Sequence, residues 1–98
     1  MIQRFTFVKL RDDAVANRGT LAERLAAEIR STGAEVVVGV PADASAARWD
    51  LSIVITCASL AAWHALSTRP AMTAVFDEVG ELAAVVKAWT FEATDHGA

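Results

Sequence analysis

The stretch W-D-L-S-I-V-I-T-C, residues 49–57, followed by A-S-L-A-A-W-H-A-L-S-T-R-P-A-M, residues 58–72, decides the fold. Its first half is apolar and β-branched, so Trp49 to Cys57 reads as a buried strand. Ser59 stands at a helix N-cap position, and Leu60, Trp63 and Leu66 follow at helical spacing. Thr68-Arg69-Pro70 interrupts that helix, and Pro70 suits the first position of a new one. Met72, Val75, Phe76 and Val79 then repeat as an apolar stripe, with Gly80 as the expected stop.

Working outward, Ile2 to Leu10 reads as a first strand. One face carries Ile2, Arg4, Thr6, Val8 and Leu10, and the other Gln3, Phe5, Phe7 and Lys9. Arg11 to Gly19 is polar and reads as a loop. Thr20 stands three residues before Glu23, the spacing of a capping box, and opens a helix through Arg30. Its core stripe is Leu21, Ala22, Leu25, Ala26 and Ile29, and Gly33 is placed for a left-handed cap. Glu35 to Val40 reads as a second strand stopped by Pro41, and Ala83 to Glu92 as the last.

The order β-α-β-β-α-β predicts a four-stranded antiparallel sheet with two helical units on one face. A sheet covered on one side should alternate apolar and polar residues. Here Val36-Val37-Val38, Ile53-Val54-Ile55 and Val85-Val86 are apolar on both sides, and Phe5 and Phe7 add to the uncovered face. At ~25 cal/mol per Å², covering several hundred Å² of apolar sheet is worth on the order of 10 kcal/mol before association costs. The same face of a second copy is the simplest cover, which predicts a homodimer.

Composition narrows the classes. The chain has 98 residues, 54% hydrophobic and 21% charged, with a net charge of −3, and reads as one domain over 1–98. Its nine basic residues are scattered, unlike the clustered basic face of a nucleic-acid binder. No apolar run approaches the ~20 residues of a membrane span, and no leader pattern opens the chain. One cysteine, Cys57, fits a reducing compartment, so the expected location is cytoplasmic. No phosphate loop, dinucleotide fingerprint, CxxC pair or HExxH spacing appears, so neither a cofactor nor a metal is expected.

Three blocks, M-I-Q-R-F-T-F-V-K-L (1–10), W-D-L-S-I-V-I-T (49–56) and L-S-T-R-P-A-M-T-A-V-F (66–76), resemble the stress-responsive α/β-barrel domain family, often called Dabb. The resemblance spans nearly the whole chain. It implies an α+β, ferredoxin-like βαββαβ fold that forms a dimeric α/β barrel through the sheet. Many members have no assigned activity, whereas one plant branch, the olivetolic acid cyclase type, closes a polyketide by aldol condensation. Relative to that branch, Met72 stands where its catalytic histidine would be, and Leu66 at the position of its tyrosine. Histidines on the family's first and third strands correspond to Arg4 and Leu51. A thioether and an isobutyl group move no protons, and an arginine stays charged. Cyclase-type chemistry is therefore not expected.

Among the chemistry-bearing residues, Arg4 lies mid-strand among apolar neighbours, where a charge needs a partner. That partner is a ligand carboxylate or phosphate, an internal acid such as Asp50 or Glu92, or water reached from a sheet edge. Arg69, beside a helix break, either rims a cavity or is simply solvated. His64 reads as a general base at a pocket mouth or, more plainly, as a surface histidine. His96 sits in the tail with no role assigned. Cys57 reads as a small buried hydrophobe rather than a nucleophile. Trp63, Met72, Phe76 and Trp89 either line a flat apolar site or are plain core.

The expectation is a homodimer with a pocket between sheet and helices that binds a small apolar or weakly acidic molecule. Arg4, Thr6, Leu51, Leu66, Arg69 and Met72 are the candidate ligand-binding residues, and no catalytic residue is assigned. The alternatives are a cofactor-independent lyase, isomerase or monooxygenase of the wider barrel group, and a purely structural module with a filled interior.

Overall fold

The computed structural model describes residues 1–94, and His96 lies outside the described residues. The elements are β1 (Ile2–Leu10), α1 (Arg18–Ser31), β2 (Glu35–Gly39), β3 (Leu51–Cys57), α2 (Leu60–Ser67), α3 (Pro70–Leu82) and β4 (Ala83–Glu92), with 3-10 turns at Val15–Asn17 and Ala44–Ala46. The four strands form one antiparallel sheet in the order β2-β3-β1-β4. The α+β, ferredoxin-like arrangement expected from the sequence is the one observed.

The period-two reading of β1 matches its burial. Ile2, Thr6, Val8 and Leu10 are buried against the helices, with Arg4 between them on the same face. Cross-strand rows on this side read Val36–Ile55–Arg4–Thr90 and Val38–Ile53–Thr6–Ala88. The helices close over them with Leu21, Leu25 and Ile29 from α1, Trp63 and Leu66 from α2, and Met72, Val75 and Val79 from α3. Leu60 departs from the expected stripe: it is exposed on the first turn of α2.

Among the described residues nothing covers the opposite face. Its central row is Val37–Val54–Phe5–Trp89, and Val37, Trp89 and Phe91 are 66%, 46% and 57% exposed. Phe7 sits 5.8 Å from both Trp49 and Trp89 between ring centroids, and Phe5 meets Phe91 edge-on at 5.7 Å. An aromatic patch of this extent is unusual on a free surface.

Two helix boundaries differ from the sequence reading. The turn Val15–Asn17 runs straight into α1, so the helix begins at Arg18 and Thr20 is already inside it. Thr20 therefore cannot cap, and the Asn17 cap position makes no side-chain bond. Arg18 in a first turn opposes the helix dipole. Its guanidinium lies 3.0 Å from the buried carboxylate of Asp50, which also accepts the Leu10 backbone N–H at 2.8 Å. The Asp50 N–H in turn donates to the Val8 carbonyl at 2.8 Å. At the other boundary, α3 passes through Gly80 to Leu82 and enters β4 with no loop. Gly33, at φ +90°, is the left-handed cap the sequence predicts.

Candidate functional site

The pocket that concerns function lies between the helix-facing side of β1 and β4 and the helices α2 and α3. Its volume is about 310 Å³. It exists because α2 and α3 do not cover the edge strand β4, all of which beyond Ala83 is exposed. The sheet contributes Arg4, Thr6, Val86 and Ala88. Trp63 and Ser67 come from α2, one turn apart, and Met72, Thr73, Phe76 and Asp77 from one side of α3. Two local signals set this geometry. The Ser59 hydroxyl accepts the Ala62 N–H and starts α2, and Pro70 starts α3 after Arg69 turns extended.

Arg4 is the most informative residue. Its Nη1 donates to Thr90 Oγ1 at 2.9 Å, and its guanidinium carbon lies 5.6 Å from the Trp63 ring centroid. Neither acid proposed as an internal partner takes it. Asp50 is committed to Arg18 and Leu10, and among the described residues no ion pair joins Arg4 to Glu92 or to any other carboxylate. A half-buried guanidinium held by one hydroxyl and one ring keeps donors free for an anion.

Of the candidate residues, Arg4, Thr6 and Met72 meet on this pocket, and Leu51, Leu66 and Arg69 do not. Leu51 pairs with Val8 further along the sheet and is buried beside the β2–β3 connection. Leu66 points into the core. Arg69 Nη1 donates to the Thr32 carbonyl at 3.0 Å, where it ties the start of α3 to the end of α1. Trp63 and Phe76 join the lining as the flat-site reading anticipates, but Trp89 lies on the opposite sheet face. Ser67, Thr73, Asp77, Val86 and Ala88 were not foreseen as lining residues. The parity of β4 against β1 gives the last two, and the spacing of Thr73 and Asp77 with Met72 and Phe76 gives the helical pair.

His64 is exposed and off the pocket. Burial pushes the Cys57 thiol above its ordinary value, away from the thiolate a nucleophile needs. No group of histidine, cysteine or carboxylate side chains among the described residues could hold a metal ion. Among the described residues no helix is long and apolar enough to cross a membrane.

No family model matches the chain, and no curated protein does. Solved structures do. A dimeric ferredoxin-like protein of unknown function from Bacteroides fragilis superposes with a TM-score of 0.77 at 16% identity, over 94% of this chain and 95% of its own. A dimeric ferredoxin-like protein of unknown function from Thermobifida fusca gives 0.70 at 18% identity, covering 94% and 90%. An antibiotic biosynthesis monooxygenase gives 0.73 at 11% identity, covering 97% and 100%. At these identities the likeness is one of fold, and the chain shares the ferredoxin-like α+β fold.

Proposed function

We propose that this chain is a Dabb-type protein that pairs with a second copy through its open sheet face. Each subunit then binds a small apolar or weakly acidic molecule in the pocket between sheet and helices. The observation that carries the binding reading is Arg4, a charged side chain on the core side of a strand, lining a largely apolar pocket with no carboxylate partner among the described residues. A weak acid supplies the missing counter-charge, and the walls of Trp63, Met72, Phe76, Val86 and Ala88 take its apolar body.

The pairing is supported by the aromatic face of Phe5, Phe7, Trp49, Trp89 and Phe91, and by the dimeric state stated for the proteins from Bacteroides fragilis and Thermobifida fusca. The Dabb assignment rests on the three sequence blocks, and the single cysteine, Cys57, fits a cytoplasmic setting. Binding rather than cyclase-type catalysis is favoured because Met72 supplies no proton to the pocket and Leu66 does not reach it.

Native mass spectrometry of the gently purified protein tests this directly. A small acid should be retained by the wild type and lost from Arg4→Ala. Retention that is indifferent to Arg4, or a pocket that accepts no small acid at millimolar concentration, would remove the proposal.

A further inference from the structure

Arg4 is one of two ionisable residues on the described lining of the pocket, and the other is Asp77. They belong to opposite ends. The α3 helix ends where the Leu82 carbonyl accepts the Arg11 N–H at 2.9 Å, so its C-terminus lies at the Leu10 end of β1. Asp77 precedes that point by five residues, about 7.5 Å at the helical rise of 1.5 Å per residue. Arg69 ties the start of α3 to the end of α1, so α3 runs along β1 and Asp77 falls toward the Val8–Val86 cross-strand pair, whereas Arg4 pairs with Thr90. Four residues of strand separate the two levels, about 13 Å. Among the described residues Arg4 and Asp77 form no ion pair with each other. Trp63, Met72, Phe76 and Ala88 fill the lining between them.

With this pocket as the ligand site proposed above, we infer that it takes a single-ring carboxylic acid carrying a hydroxyl or amine donor on the side away from the acid. The carboxylate meets the Arg4 guanidinium in charge-assisted hydrogen bonds. The ring lies against Trp63, Met72 and Phe76, and the distal donor gives its hydrogen to the Asp77 carboxylate. Size sets the ring count, since 310 Å³ is at the lower end of the ~300–1,000 Å³ of ligand pockets. Charge sets the polarity. Asp77 repels a second carboxylate at the far end, so a linear dicarboxylic acid is rejected.

The test is calorimetric titration of the full chain with 4-hydroxyphenylacetate, phenylacetate, 4-methylphenol and 4-carboxyphenylacetate, with the Trp63 indole N–H resonance as a second readout. The hydroxy acid should bind about tenfold more tightly than phenylacetate, the factor a single hydrogen bond to a charged group supplies at a partly exposed site. Asp77→Ala should abolish that preference. Arg4→Gln should bring 4-hydroxyphenylacetate down to the level of 4-methylphenol, and phenylacetate below it. The diacid should bind more weakly than phenylacetate. If the hydroxyl confers no advantage, or the advantage survives Asp77→Ala, the polarity is wrong. Arg4-dependent binding of phenylacetate would still leave the pocket itself intact. If none of the four probes binds at millimolar concentration, both readings fall.

Discussion

Arg4 on β1 and Trp63 on α2 meet as a cation over a ring, 5.6 Å from guanidinium carbon to ring centroid. The contact holds one wall of the pocket and fixes the direction of the one guanidinium on its described lining. Such a contact is worth about 0.5–1 kcal/mol when partly solvated, less than the burial of the indole itself.

Trp63 substitutions should separate these two contributions. Trp63→Ala leaves a large void beside Leu66 and Met72 and should cost about 3–5 kcal/mol. Trp63→Phe keeps most of the apolar volume and a ring beneath the cation, and should cost less than about 2 kcal/mol. Urea unfolding at fixed protein concentration checks both, because the midpoint of a self-associating chain moves with concentration. Equal losses would mean that ring volume is not what Trp63 contributes.

Asp50 is a second place where one side chain serves two elements. It satisfies the Leu10 N–H at 2.8 Å, beside the irregularity where β1 shifts register against β4, and it neutralises Arg18 in the first turn of α1. Asp50→Ala strands a buried N–H and leaves Arg18 facing the helix dipole, and should cost about 2–4 kcal/mol. Asp50→Asn keeps an acceptor for Leu10 and should cost roughly half as much. Thermal or urea denaturation of the pair reads this out. A fully destabilised Asn variant would place the whole effect in the charge.

Much of this fold is legible in the sequence because strand parity is a strong constraint. One Thr or Arg among Ile2, Val8 and Leu10 does not change which face they share, so Arg4 and Thr6 could be placed correctly. Helix ends were less legible. Thr20 and Glu23 have capping-box spacing, but a preceding 3-10 turn moves the start of α1 to Arg18. Gly80 looks like a stop, but it has no positive φ, and the helix continues to Leu82, where Ala83 turns extended and ends it. The pocket was half legible. Leu51 and Leu66 entered through correspondence with family positions, and their own apolarity gives no sign of whether they face core or cavity. Asp77 reads as a water-facing residue of an amphipathic helix, and it is exposed while also edging the pocket. Only the uncovered edge strand β4 brings it onto a pocket wall.

The pH response of the helix layer should centre on Arg24 and Glu78. Arg24 on α1 donates to both carboxylate oxygens of Glu78 on α3, at 2.7 and 2.9 Å, and also reaches Glu28 at 3.1 Å. Hydrogen bonding from Arg24 holds the Glu78 carboxyl below its ordinary value. The folded state therefore binds the Glu78 proton less readily than the unfolded chain does. The contribution is present above the unfolded value, about 4.5, and fades as pH falls through the lower folded value. Both side chains are more than a third exposed, so the effect is limited to about 0.5–1 kcal/mol and shrinks in salt. Unfolding midpoints of wild type and Glu78→Gln should differ at pH 7 and converge once the pH has fallen below the lowered Glu78 value. A constant gap across the range would assign the difference to packing.

Trp89 gives the most direct test of assembly. It sits mid-strand on β4, opposite Phe5 and 5.8 Å from Phe7, on the face that carries the aromatic patch. Its side chain contributes nothing to the pocket lining, which is on the other side of the sheet. Trp89→Glu places a charge at the centre of the proposed interface, where a partner would have to bury it unpaired at a cost of several kcal/mol. The same substitution leaves the core under the helices intact, because Trp89 is not part of it. Sedimentation at micromolar concentration should give about twice the 10.4 kDa chain mass for wild type and the single-chain mass for Trp89→Glu, with unchanged far-ultraviolet circular dichroism. The variant should also show the sheet face newly wetted, as loss of the tryptophan and phenylalanine contacts that a partner protects from exchange-coupled solvent. A folded wild-type chain that sediments as a single subunit would mean that the aromatic face meets some other surface, or none.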